Sequence, residues 1–247
     1  MWVRRRGALS GAITLAVLLA AVAFLLRMGA PRPTRAADGP PTRILVIGGS
    51  AARGWRATKN IGYLDQAFQA YGERAGVRYR LSNRAIPGAG VRNPAVKRHY
   101  TRWLKLMGRG IVALAWGTLN DLRFGTPPLV VGREIRRECQ EALHAGDIVL
   151  MITPIPTRAS YTVFRTAQPR VVASELSAVE AVHDPDVHVL NLFSAMQAYL
   201  VCHHLTYRAV MHDNWDPGNR GHRIAALVLT DLLTREFGGR PITYARR

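Results

Sequence analysis

Thr42-Arg-Ile-Leu-Val-Ile-Gly-Gly-Ser50 is the stretch that decides the fold. Ile44 to Ile47 is aliphatic without alternation, which marks a strand buried on both faces, and the small Gly-Gly turn ends it and presents Ser50 at its carboxyl end. Working outward, Gly62 to Ala75 has Leu64, Ala67, Phe68 and Tyr71 on one helical face. Val77 to Ser82 alternates as a strand and leads into the loop Asn83 to Gly90. Pro94 to Met107 starts with proline, carries apolar residues at helical spacing and stops at glycine. Ile111 to Trp116 is a third strand. Beyond it come a helix near Val130 to Ala145, a strand Asp147 to Ile155, a helix near Arg170 to Val182, a strand Val187 to Leu192 and a last helix Asn219 to Phe237. Alternating strands and helices imply an α/β fold whose parallel sheet is covered on both sides, with ligands bound beyond the carboxyl ends of the strands.

Residues 1–28 read apart from this pattern, 29–41 as a Pro-rich linker and 42–247 as one domain. The linker and domain together hold about 200 residues, a usual size for one hydrophobic core. Arg4-Arg5-Arg6 precedes Ala8 to Leu26, a run of 19 residues without a charge. That run is about long enough to cross a ~30 Å hydrocarbon layer as a helix, and longer than the ~7 to 15 residues of a secretory h-region. The expectation is a membrane anchor with the domain outside the cytoplasm. The alternative is a secreted domain freed by cleavage near Thr34-Arg-Ala36-Ala37, a poor cleavage sequence.

The formal charge is +18, and 31 of the 34 basic residues are arginine. They are dispersed and no nucleic-acid-binding motif accompanies them, so no specific nucleic acid is expected as partner; anionic lipid or acidic surface polymer suits an exported basic domain better. Cys139 and Cys202 lack metal spacing. Cys139 falls in a helical pattern as a small core residue, a disulfide between the two stays open, and the oligomeric state is not legible.

Chemistry-bearing residues fall in four blocks. Gly48-Gly49-Ser50 offers a hydroxyl, either a nucleophile or an ordinary helix cap. Pro87-Gly88-Ala-Gly90 reads by itself as an ordinary Pro-Gly turn. Gly117-Thr-Leu-Asn120-Asp121 follows a strand directly and offers the Asn120 side-chain amide; alone it reads as a loop cap. Asp213-Asn-Trp-Asp216-Pro-Gly-Asn-Arg-Gly221-His222 opens the last helix.

Together the blocks resemble the SGNH (GDSL-like) hydrolases over nearly all of the chain outside its N-terminal segment. The resemblance implies a three-layer sandwich with a central five-stranded parallel sheet in the order 2-1-3-4-5, preceded here by a transmembrane or signal helix. It further implies serine ester hydrolysis with no cofactor and no metal. Ser50 would attack, Gly88 and Asn120 would form the oxyanion hole, and Asp213 would orient the base. The family phrase has histidine where this chain has Asp216, and a carboxyl with a reference pKa of about 3.9 is a poor base. Three repairs are conceivable: His212 swinging toward Ser50, Asp213 and Asp216 sharing a proton, or His212, Asp213, Asp216 and His222 gathering a cation. Two function classes follow: an exported esterase of a cell-surface carbohydrate or lipid ester, or a non-catalytic ligand-binding pseudoenzyme on the same scaffold.

Overall fold

Five aliphatic runs pair side by side in parallel: β1 (Thr42–Gly48), β2 (Tyr79–Asn83), β3 (Ile111–Ala115), β4 (Ile148–Ile152) and β5 (Val187–Leu190), in the order β2-β1-β3-β4-β5. This is the predicted sheet, seen in a computed structural model that describes residues 39–244. The anchor or signal expected in residues 1–28 lies outside the described residues, as does nearly all of the linker. Among the described residues no helix is long and apolar enough to cross a membrane.

Side-chain alternation divides the core into two layers. Ile44 and Val46 of β1 face one way, against α2 (Tyr63–Ala75), α8 (Leu192–Cys202) and α9 (Asn219–Phe237). Leu45 and Ile47 face the other, against α3 (Pro94–Met107), α5 (Pro128–His144) and α7 (Ala167–Glu180). Among the described residues are also three short α-helices, α1 (Ser50–Arg53), α4 (Leu119–Arg123) and α6 (Arg158–Tyr161). Cys139 is buried in the second layer while Cys202 is exposed, and both are free thiols.

Two of the differences from the sequence expectation have a clear local cause. The fifth strand ends at Leu190, and α8 follows where no helix was expected. Leu192 to Cys202 is apolar around most of its circumference, so its period is masked, and the start signal is Asn191, whose side chain accepts the Ser194 N–H at 3.1 Å. The second strand begins two residues late because Gly76 ends α2 in the left-handed region at φ +68 and the chain needs Val77 to return to the sheet.

Backbone proximity at the exit of β1 fixes one residue type. A Cβ on Gly48 would lie 2.2 Å from the Ala115 carbonyl oxygen of the neighbouring strand, so only glycine lets β1 and β3 stay paired up to the point where Ser50 follows.

Behind β3, Trp116 donates its indole N–H to Glu138 Oε2 at 2.8 Å. Glu138 is fully buried, its Oε1 has no partner among the described residues, and burial raises its pKa to about 8. The folded state therefore holds a proton that the unfolded chain has released above its ordinary range near 4.5. That contribution to stability is complete below about pH 4.5 and is lost as pH rises toward 8. Denaturant unfolding at pH 6 and pH 8.5 should show wild type losing stability between the two, whereas Glu138→Gln, which keeps an acceptor for Trp116 and cannot ionise, should lose markedly less.

Candidate active site

Ser50 is the first residue of α1, directly after the extended Gly49, and is half-buried at the carboxyl end of β1. The parallel register delivers the other blocks to the same end. A Cβ placed on Gly49 would lie 3.5 Å from the Ala89 carbonyl oxygen and 3.9 Å from both Asn120 Nδ2 and the Gly117 nitrogen. Stretches separated by about seventy residues of sequence thus meet beside Ser50.

The two expected oxyanion donors are fixed by different means. Asn120 Nδ2 donates to the Ala89 carbonyl at 3.1 Å, which orients the amide and leaves its second hydrogen unused. Gly88 is exposed, with φ +78, and among the described residues no backbone carbonyl accepts its N–H. The loop that carries it is tied to Asp121, both of whose carboxylate oxygens accept the Val91 N–H at 3.1 and 3.2 Å. Asp121 is buried, and desolvation raises its pKa to about 6 against hydrogen bonds from Val91 and Thr126 that lower it. Sequence reasoning quoted Asp121 without giving it this tethering role.

In the Gly117-Thr-Leu-Asn120 turn, Thr118 sits buried in the left-handed region at φ +56 and ψ −22. A hydrogen bond from the Leu119 N–H to the Gly117 carbonyl at 2.7 Å closes the tight turn. A β-branched residue there stores strain of about 1–3 kcal/mol, held by packing from α7, whose Gln168 reaches the Thr118 hydroxyl at 3.4 Å.

The fourth block folds as a narrow loop closed by an antiparallel bridge between Met211 and Pro217. The Gly218 N–H donates to the Val210 carbonyl at 3.0 Å and the His212 N–H to the Asp216 carbonyl at 2.9 Å. Gly221 lets the helix approach this loop, since a Cβ there would lie 2.1 Å from the Val210 carbonyl oxygen. Asp213 Oδ1 accepts the backbone N–H groups of Trp215 at 2.8 Å and Asp216 at 2.9 Å, and its Oδ2 lies 3.7 Å from Arg56 Nε. Asp213 therefore braces the Asp216 backbone.

Asp216 is buried, and the Ser50 hydroxyl is among the groups that favour its charged form. Its Oδ1 has no hydrogen-bond partner among the described residues. Burial raises the Asp216 pKa; the Ser50 hydroxyl lowers it, Asp213 raises it, and Arg56 and His222 lower it, with burial prevailing.

Neither His212, beside the block, nor His222, within it, is brought to Ser50 by a contact among the described residues. His212 is exposed and, among the described residues, makes only the backbone bond just described. His222 is fully buried: Nδ1 accepts the Tyr63 N–H at 3.3 Å, and Nε2 faces the Trp55 carbonyl at 2.9 Å. This pair of contacts requires the neutral tautomer with its proton on Nε2. Burial lowers its pKa against the Trp55 carbonyl, Asp216 and Asp65, which raise it. With both nitrogens committed, His222 is unavailable as a metal ligand, and among the described residues no group of three or more His, Cys, Asp or Glu is placed to hold a metal ion.

The fold is shared with solved structures. This chain superposes on a member of the lipolytic protein G-D-S-L family from Veillonella parvula with TM-score 0.63 at 17% identity, covering 78% of this chain and 98% of that one. An acetylxylan esterase from Geobacillus stearothermophilus gives 0.64 at 16%, covering 87% and 100%. The chain has the SGNH hydrolase fold. A lipase/acylhydrolase from Enterococcus faecalis matches this fold with TM-score 0.61 at 18% identity, covering 83% and 100%. Structures of the Geobacillus esterase include catalytic mutants in which a serine or a histidine is replaced by alanine. No family model matches this chain, and no curated protein matches its sequence.

Asp213 Oδ1 provides a test of the bracing geometry. Asp213→Ala leaves the amides of Trp215 and Asp216 without their acceptor and should cost about 1–3 kcal/mol in denaturant unfolding. Asp213→Asn, which keeps an acceptor oxygen in place, should recover most of that loss.

Proposed function

We propose that this chain is an ester hydrolase in which Ser50 and Asp216 form the working pair. The observation that supports this reading is the buried Asp216 carboxyl, whose charged form the Ser50 hydroxyl favours and one of whose oxygens has no partner among the described residues. Asp216 stands where the SGNH imidazole would be, and its raised pKa makes it a stronger base than an exposed aspartate.

Asp216 accepts the Ser50 proton as Oγ bonds to the acyl carbon. The oxygen of the former carbonyl takes the negative charge and is held by the Gly88 N–H, the free hydrogen of Asn120 Nδ2 and the amides that open α1. Collapse breaks the bond to the alcohol, which leaves with the proton from Asp216. Water then attacks the acyl-enzyme, giving one proton to Asp216, and Ser50 is reprotonated as the acid departs. Asp213 acts by positioning Asp216, and His212 takes no part.

The substrate class proposed is an acyl ester of cell-surface carbohydrate or lipid. Exposed Trp55 and Trp215, 42% and 39% accessible, flank the site and offer apolar faces to such a substrate. The acetylxylan esterase neighbour supports the carbohydrate option by analogy of fold. The uncharged run Ala8 to Leu26 would hold the domain outside the cytoplasmic membrane, a reading that rests on sequence.

One observation favours the second reading, a ligand-binding pseudoenzyme: His222, the imidazole of the block at the first turn of α9, has both ring nitrogens occupied by backbone groups. Kinetics on the purified full chain with short acyl esters separate the two. The hydrolase reading expects turnover that vanishes in Ser50→Ala and falls about 10²–10⁴-fold in Asp216→Asn. It also expects covalent capture of Ser50 by a fluorophosphonate. The pseudoenzyme reading expects negligible wild-type turnover and a gain in Asp216→His.

The working pair also dictates a pH profile. Asp216 must be ionised to accept the proton, so kcat/KM should fall as pH drops through its raised pKa. The inflection is expected above the usual aspartate value of 3.8. An acid limb centred at or below that value would contradict the buried-base assignment.

A further inference from the structure

On the α3 face of the sheet, away from Ser50, β1 and β2 bring two arginines into direct register. Arg43 is paired with Arg80 across the strands, and Leu45 with Ser82. Because side chains two apart share a face, Arg80 and Ser82 point the same way along β2, and Arg84 continues the row just past its end. These three arginines line a groove of about 340 Å³ together with Leu45, Trp103 and Met107. No acidic residue lines it. Among the described residues none of the three guanidinium groups has an ion pair or a side-chain hydrogen bond; Arg84 stacks over Trp103, its Cζ 5.9 Å from the ring centroid.

Like charges side by side on neighbouring strands repel, so the exposed, solvent-screened Arg43/Arg80 pair is a modest cost that the fold carries. An anion seated between them removes that cost, and planar guanidiniums match the oxygens of a phosphate. The groove wall and its rim are apolar and amphipathic: Trp103 is half-buried, and Leu106, which also lines the groove, is 66% exposed. Helix α3 itself contains no acidic residue, and its exposed Arg98, Arg102 and Lys105 surround these two side chains. A basic helix with an exposed leucine and a tryptophan at its polar boundary is built for the interface of an anionic bilayer.

We propose that the Arg43–Arg80–Arg84 groove binds the phosphate of an anionic phospholipid headgroup, with Trp103 and Leu106 against the acyl region. This site is separate from the Ser50 centre and does not depend on its chemistry. It orients the domain on a lipid surface through α3 and the β2 edge. No bond is made or broken there.

The test is a titration of the full chain, held in non-ionic detergent, with monomeric short-chain phosphatidylglycerol, read by tryptophan emission. Saturable binding is expected, at least about tenfold tighter than for phosphatidylcholine of the same chain length and than for inorganic phosphate. Arg43→Gln/Arg80→Gln should weaken it by at least about tenfold, and Trp103→Phe should remove most of the emission change. Without lipid, the double variant should unfold at the same or a higher temperature than wild type, since a repulsion has been removed. Were that variant to unfold more readily, Arg84→Gln, beyond the paired strands, supplies the affinity comparison in its place. Affinity unchanged in the variant under comparison, or equal for the two lipids, overturns the proposal. Inorganic phosphate binding as tightly as phosphatidylglycerol overturns the lipid assignment in favour of a free-anion site.

Discussion

Everything at the functional end of this molecule depends on the parallel pairing of β1 with β2 on one side and β3 on the other. The register aligns Val46 with Asn83 and Gly48 with Ala115, so three consecutive strands in space release their chains at the same end of the sheet. The connections from β1 and β3 run to opposite faces of the sheet, and such a reversal opens a crevice between adjacent loops. Gly48 holds the opening narrow, because any side chain there would separate β1 from β3 and carry Ser50 away from Asn120. The site is thus a consequence of backbone spacing before it is a matter of side-chain chemistry.

Within that frame, chemistry is divided between groups that act and groups that brace. Asp121 holds the Gly88–Val91 loop, Asp213 holds the Asp216 backbone, and Asn219 Oδ1 accepts from the Thr58 N–H at 2.7 Å, tying the loop after α1 to the start of α9. His222 belongs to the same set: it joins Tyr63 to Trp55 and so locks α9, α2 and the Ser50 loop together. A histidine used this way is a neutral buried strut, and in the proposed mechanism the acid–base work falls to Asp216 instead. Burial then does to this carboxyl part of what its chemical identity does to an imidazole, by moving its pKa upward.

The fold was legible because its signals are local and repetitive. Ile44 to Ile47, Ile111 to Ala115 and Ile148 to Ile152 are uninterrupted aliphatic runs, and Pro94, Gly108 and Gly76 mark helix ends through their own backbone restrictions. Helix α8 escaped because a segment apolar on most sides carries no period to read. The convergence of Gly49, Ala89 and Asn120 was foreseeable only through resemblance, since contacts across about seventy residues leave no mark in spacing. The pairing of Arg56 with Asp213, the Trp55 carbonyl on His222 and the positive φ of Thr118 were invisible for the same reason: they arise from how loops close once the sheet has formed.

The layer behind the oxyanion loops poses a final electrostatic question, since it contains three buried carboxyls: Asp121, Glu138 and Glu175. Ionised, they would oppose negative charge developing at the site; at 4 Å a like charge costs about 4 kcal/mol even at an effective dielectric constant of 20. Desolvation answers it by keeping most of that charge from forming. Glu138 is raised to about 8, and Glu175, with both carboxyl oxygens unpartnered, is raised well above its usual value by burial and then by the nearby Asp121. Burial thus disfavours the charged form of both. Asp121 is raised only to about 6, and its carboxylate accepts the Val91 amide that holds the Gly88 loop. The interior therefore supplies rigid acceptors for loop closure while presenting little net negative charge to the place where an oxyanion would be held.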